Sequence, residues 1–389
     1  MAHPTRSWAL AEKLDKNEFE IHFATPKNYH VYLNNFSNNF SLYDLPTITN
    51  ETFNVRLFLA KFPYQMSELK QNLQYDNQLI QKVKPDFIVS DFRPSAPVAS
   101  KVNHIPLINL IQYHWHPNFK RKPLIPNIRF RQIFGRKLLK ILTPFAESLV
   151  LKNQLEIINE FLSVNHVDTV DNLFEFYCLG DYLIFPDCQT IFPDAKLKIN
   201  ETFIGPLIWN NTITPWPKLW PSSKSKRLSA YISLGSTGNH ALVPDIVDSL
   251  KQANFEIFLS TSGIKTNANL IAGVHSADFI PINKLLPMID IMICNGGTST
   301  TYHSLSMKTP VFSFPNNLDQ YLHVTQLQRF GLTDFEEFDS FSRTRFLNKI
   351  EHLINSQNCL VSRETIFQEI ASLETNNIIQ VSFNKMINF

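Results

Sequence analysis

The sequence predicts an α/β chain of two facing Rossmann-like domains. Three observations carry that expectation. Short apolar strands alternate with helical segments along the chain, as βαβ units of a parallel sheet require. The alternation breaks once, at an aperiodic stretch rich in proline and hydroxyl residues, and then restarts. The glycines are lopsided: of ten, none precedes Gly135 and seven lie between Gly235 and Gly331. A chain of 389 residues exceeds one ordinary core, so two domains are expected.

In chain order, "TRSWALAEKL" reads as a helix and "FEIHFAT" as a strand. "PDFIVSD" (85–91) and "HIPLINLI" (104–111) are the next strands, followed by "DYLIFP" near residue 181 and "ETFIGPLIW". These place an N-terminal, acceptor-binding domain over 1–209. The stretch 210–227, "NNTITPWPKLWPSSKSKR", reads as a linker. A C-terminal domain over 228–389 repeats the pattern, its last helix packing back on the first domain. Its elements are strand "AYISLG", helix "PDIVDSLKQA", strand "FEIFLST", strand "IDIMIC", a helix through "TTYHSLSM", strand "VFSFP" and helix "YLHVTQLQRF". Gly331 should stop that last helix.

Bulk composition narrows the function. A formal net charge of +2 gives no global field for nucleic acid. Cys178, Cys188, Cys294 and Cys359 have no metal-ligand spacing and read as buried thiols of a reducing compartment. No run of 18 apolar residues exists, and the N-terminus lacks a signal-peptide core. The expectation is a cytoplasmic protein, with peripheral contact at the inner face of a membrane as an option.

Two strand ends carry glycine loops. After "AYISL" comes Gly235-Ser236-Thr237-Gly238, and after "IDIMIC" comes Asn295-Gly296-Gly297. The second loop opens a helix near Thr298, Ser299 and Thr300. A helix start offers unpaired N–H groups and a partial positive charge, and glycine lets an anion approach the backbone. A phosphate or pyrophosphate fits; so does a simple tight turn capped by a threonine or serine. Neither the P-loop nor the G-x-G-x-x-G pattern is present.

With these segments in place the chain resembles the GT-B glycosyltransferases of the UDP-glycosyltransferase and macrolide-glycosyltransferase type. The resemblance runs through "AHPTRSWALAEKL", "KPDFIVSDFRPSAPVASKVNHIPLINL", "FIGPLIWN", "YISLGSTG" and "FIPINKLLPMIDIMICNGGTSTTYHSLSMKTPVFSFPNNLDQ". It implies an inverting, metal-independent hexosyltransferase that moves a sugar from a nucleotide-diphosphate sugar, a UDP-sugar by expectation, to a hydroxyl of a small or lipophilic acceptor. No cofactor is implied, because the nucleotide sugar is a substrate. His3 falls at the catalytic base and Asp91 at the carboxylate that pairs with it. Gly296, Gly297, Thr298, Ser299 and Thr300 would hold the diphosphate. Ser236 would lie near the phosphate, Pro281 and Ile282 beside the base, and Asp319 and Gln320 on the sugar hydroxyls.

The pattern departs from the family at three places. Asn295 replaces a histidine beside the phosphate, and His303 replaces a glutamate that grips the ribose. The family's first central strand should precede the histidine, which here is residue 3; a start placed about ten residues late is the expected reason. From Phe92 to Ala146 there is no acidic residue, while Arg93, Lys101, Lys120, Arg121, Lys122, Arg129, Arg131, Arg136, Lys137 and Lys140 recur among aromatics. That composition suits a membrane surface or a lipid-like acceptor. His114 and His116 lack a third metal ligand, and no metal is expected. Two other functions stay open: a non-catalytic nucleotide-sugar binder and, less favoured, a GT-B-like epimerase.

Overall fold

The computed structural model describes residues 2–33, 40–121, 129, 151–209, 214–235, 237–261, 263, 272–375 and 377–387. The chain divides into two compact units, Met1–Leu207 with Asn376–Phe389, and Ile208–Thr375. Both are α/β with parallel strands throughout.

In the first unit, the helix Ala2–Glu12 buries Trp8 completely. The indole meets Phe23 and Phe40 edge-on at 5.0 and 4.8 Å, an arrangement aromatic quadrupoles favour. Strands β1 (His22–Thr25) and β2 (Ser41–Asp44) form a parallel pair. A separate sheet runs β3 (Ile88–Asp91), β4 (Leu107–Leu110), β5 (Tyr182–Phe185), β6 (Glu201–Phe203). Among the described residues no strand joins the pair to this sheet. β3 therefore pairs on one side only, with β4, and Val89 on it is 37% exposed. The final helix, Ile378–Ile387, belongs to this unit. Phe383 contacts Phe19 and Phe87, and the Gln380 amide oxygen accepts the Asp15 N–H at 2.9 Å.

The second unit holds one six-stranded sheet in the order β12-β11-β10-β7-β8-β9. The strands are β7 (Ser229–Ser233), β8 (Glu256–Ser260), β9 (His275–Ala277), β10 (Ile291–Cys294), β11 (Val311–Ser313) and β12 (Thr333–Phe335). β10 is buried at every position, as a central parallel strand covered on both faces should be. Helix Val243–Gln252 lays Ile246, Val247 and Leu250 on a core with Ile257, Ile293, Phe312 and Phe346. Helix Leu318–Arg329 ends at Phe330, and Gly331 follows at φ +65°, the left-handed stop its residue type foretold. β2, β9 and β12 were not anticipated. Each has three or four residues, too short for alternation to stand out.

The chain leaves β7 toward β8 and β9 on one side, then returns to lay β10, β11 and β12 on the other. The reversal falls between β7 and β10. In an open parallel sheet, the crevice beyond the carboxyl ends of such a strand pair is where ligands bind.

Replacing Trp8 by alanine should cost about 3–5 kcal/mol, because the helix Ala2–Glu12 has no other side chain of that size on β1. Urea denaturation followed by circular dichroism would read it.

Candidate active site

At the β7/β10 crevice, Cys294 pairs in register with Ser233, so both glycine loops leave the sheet side by side. Gly296 sits at φ +78°, and a Cβ there would collide with Val324 Cγ1. Only glycine fits, in backbone conformation and in space. Its N–H is taken by the Cys294 sulfur at 3.2 Å, whose thiol burial pushes up to about 11. Asn295 turns back on itself: Oδ1 accepts the Gly297 N–H at 3.2 Å while Nδ2 donates to Thr237 Oγ1 at 3.1 Å.

Helix Thr298–Leu305 then begins, with Gly297 as its N-cap and no side-chain cap. Of the two alternatives for the glycine pair, the one with a threonine or serine cap is therefore not what forms. The N–H groups of the first turn have no partner within the helix, and Ser299 Oγ is buried without a hydrogen-bond partner. Thr298 is buried and Thr300 half-buried. This end of the sheet can hold an anion through the helix dipole and the Ser299 hydroxyl.

The neighbouring residues lie as follows. His303 is buried, burial pushes its imidazole down to about 4, and Nε2 faces Asn283 Oδ1. A neutral ring that spends its N–H on Asn283 keeps only Nδ1, as an acceptor. Pro281 is the N-cap of the short helix Ile282–Leu285. Asn317 and Gln320 form a capping box at the start of Leu318–Arg329, with Asp319 in its first turn. Gln320 Oε1 accepts the Asn316 N–H at 2.8 Å and Nε2 donates to Thr237 Oγ1 at 2.8 Å, so both ends of that amide are engaged within the protein. Ser236 lies outside the described residues.

In the first unit, His3, Arg6 and Ser7 project from one face of the helix Ala2–Glu12, as spacings of three and four dictate. All three converge on Asp91 at the carboxyl end of β3. His3 Nδ1 donates to Asp91 Oδ1 at 2.8 Å, Arg6 Nε to Oδ2 at 2.9 Å and Ser7 Oγ to Oδ2 at 3.2 Å. Arg6 Nη2 also bonds Oδ1, closing a two-point ion pair. Burial alone would raise the Asp91 carboxyl; the adjacent Arg6 and His3 reverse this and hold it at about 2. His3 stays half-exposed, its side chain 54% accessible. Phe92 follows Asp91 at φ +55° and places its ring 5.4 Å from the His3 ring. A non-glycine residue in the left-handed region is strained, and such strain collects at functional sites.

Arg6, Phe92 and Thr237 were not singled out from the sequence. The i, i+3 spacing of His3 and Arg6 was a signal for the first, and the glycine loop 235–238 flanked Thr237 without singling it out; nothing local marks Phe92. Among the cations proposed for a basic surface, Arg93 is instead half-buried and paired with Asp76, Nε to Oδ1 at 2.6 Å. Arg121 lies 3.3 Å over the Phe174 ring. Lys122, Arg131, Arg136, Lys137 and Lys140 lie outside the described residues. His114 is buried, and His116 is buried facing Glu201 Oε1 at 3.3 Å.

Comparison with known proteins follows the same architecture. Residues 1–155 match the model of Glycosyl transferase family 1. The chain is 27% identical over 332 residues to a PGL/p-HBAD biosynthesis rhamnosyltransferase of Mycobacterium bovis (strain BCG / Pasteur 1173P2), spanning 85% of this chain and 73% of that one. A relative from the same strain, named an inactive PGL/p-HBAD biosynthesis glycosyltransferase, is 24% identical over 251 residues, 64% of this chain and 68% of the relative. Among solved structures, the glycotransferase of kitacinnamycin superposes with TM-score 0.70 at 15% identity, covering 98% of this chain and 95% of the other. The spinosyn rhamnosyltransferase SpnG complexed with thymidine diphosphate gives 0.64 at 13% identity, covering 95% and 94%. The two-domain GT-B architecture expected from the sequence is thus the observed one.

Two substitutions test this geometry. Gly296→Ala should destabilise the second unit by about 1–3 kcal/mol through strain and overpacking, measured by urea melts. Asp91→Asn leaves Arg6 buried and unpaired and should cost about 3–5 kcal/mol at pH 7. The folded carboxyl titrates at about 2 against an ordinary 3.8, so ionisation of Asp91 stabilises the fold fully above about pH 4. That contribution, about 2 kcal/mol, is lost as pH falls toward 2. The gap between wild type and Asp91→Asn should narrow over that window in paired melts.

Proposed function

We propose, for a chain that is a GT-B glycosyltransferase of the UDP- and macrolide-glycosyltransferase type, that it transfers a hexose with inversion from a nucleoside-diphosphate sugar to a hydroxyl of a lipophilic acceptor. The observation that carries the reading is the His3–Asp91 contact of 2.8 Å. With Nδ1–H on the carboxylate, the lone pair sits on Nε2 of a half-exposed ring, the arrangement a general base requires.

In this mechanism Nε2 takes the acceptor's proton as its oxygen attacks the anomeric carbon. Asp91 fixes the tautomer and balances the imidazolium. The bond to the diphosphate breaks as the new glycosidic bond forms, one displacement and hence inversion. Charge growing on the leaving diphosphate meets the uncapped turn at Thr298 and its loop N–H groups.

The donor is a pyrimidine nucleoside diphosphate sugar. The family resemblance implies uridine; the SpnG complex with thymidine diphosphate supports thymidine as well. A lipophilic acceptor is supported by SpnG, solved with the spinosyn aglycone. No described helix is long and apolar enough to cross a membrane. Lys101 and Lys120 are exposed and would carry the peripheral membrane contact in which Arg93 takes no part.

A second reading has its own observation. Arg6 already balances the charge of Asp91, so less of it is left for an imidazolium, and one relative is named inactive. In that case the chain binds nucleotide sugar without turning it over.

His3→Ala should leave thermal stabilisation by UDP or TDP unchanged and lower kcat about 10²- to 10⁴-fold, read by release of the diphosphate. Wild-type protein that is stabilised by a diphosphate but releases none from any pyrimidine nucleotide sugar would favour the non-catalytic reading.

A further inference from the structure

We propose that Thr237 is a phosphate-binding residue of the donor site, a hydroxyl held with its proton outward by two side-chain amides. The inference rests on the donor-site reading above and adds to it a residue that the motif comparison did not assign.

The argument is hydrogen-bond accounting. Gln320 Oε1 accepts two backbone N–H groups, those of Asn316 at 2.8 Å and Asn317 at 3.4 Å. The end of Gln320 that meets Thr237 Oγ1 at 2.8 Å is therefore the NH₂. Asn295 Oδ1 accepts the Gly297 N–H, so the end of Asn295 that lies 3.1 Å from the same Oγ1 is again the NH₂. Backbone donors fix both amide orientations, which otherwise could not be distinguished from their flipped forms.

A hydroxyl has two acceptor lone pairs and one proton. Both lone pairs of Thr237 are occupied by amide donors, so its proton must go to a third atom. No described residue accepts it. Asn316 Nδ2 pins the Thr237 carbonyl at 2.9 Å, which fixes the backbone that presents the hydroxyl. The residue stands at the carboxyl end of β7, joined through Asn295 to the loop that opens the uncapped helix Thr298–Leu305.

The third atom this arrangement suits is an anionic oxygen. An O–H···O⁻ bond is about twice as strong as a neutral one, and polarisation by the two amides strengthens it further. It also fits the departure at Asn295. A neutral amide there supplies no cation to the phosphate, and it instead sets the direction of a hydroxyl that can donate.

The test compares Thr237→Val, which keeps the shape and removes the hydroxyl, with Thr237→Ser, which restores it. Thr237→Ala is the second variant, since its smaller side chain leaves room for water at the two amides. Each is checked for a cooperative melt, then titrated calorimetrically with UDP and TDP and with uridine and thymidine.

The expected result is a loss of about tenfold to a hundredfold in diphosphate affinity for Val and Ala, the range of one hydrogen bond to a charged group. Nucleoside affinity should be unchanged, and Ser should stay within about threefold of wild type. Equal losses for diphosphate and nucleoside, or no loss for either, would overturn the phosphate contact and leave Thr237 a purely structural tether. Wild-type protein that binds neither diphosphate would instead overturn the donor-site reading itself.

Discussion

The pairing of β7 with β10 is the constraint on which the candidate donor site depends. These strands are far apart in sequence, yet Ser233 and Cys294 end side by side because the chain reverses direction in the sheet between them. That one register brings Asn295 of the second glycine loop within hydrogen-bond reach of Thr237 in the first, where Gln320 also meets it. A one-residue slip would turn every side chain of β10 to the other face. Because all four β10 residues are buried, side-chain shape on both faces, not a buried-and-exposed alternation, sets the register.

The acid–base side depends on a different kind of contact. Asp91 ends a strand that pairs on one side only, and it is held in place by side chains of the helix Ala2–Glu12 as well as by its sheet. A buried carboxylate needs compensation for lost hydration, and Arg6, followed by His3, supplies it. The arrangement makes a well-fixed orienting group for His3. It also divides the Asp91 charge between a permanent cation and a ring that must gain and lose a proton.

Much of the fold was legible. Residues 22–25, 88–91, 107–110 and 182–185 fall inside short apolar runs read as strands, and the helices 298–305 and 318–329 overlap the helical stretches read at 300–307 and 321–330 but begin earlier. His3, Asp91, Asn295 and Gly296 were singled out by motif; the structure sets His3 against Asp91 and places Asn295 and Gly296 in the turn after β10. Arg6 and Thr237 escaped because their significance is relational. Arg6 matters through Asp91, 85 residues away, and Thr237 through Asn295 and Gln320, 58 and 83 residues away.

The sequence by itself determined the α/β class, the parallel alternation and the place of the glycine turn that opens the helix Thr298–Leu305, because periodicity, glycine placement and helix signals are local properties of the chain. Only the tertiary structure decided which strands adjoin, that Arg93 is spent on Asp76, that Arg6 shares Asp91, and which way two amides and one hydroxyl point. Those outcomes are set by long-range pairing and by the need to satisfy every buried polar group, and no window of sequence contains both partners.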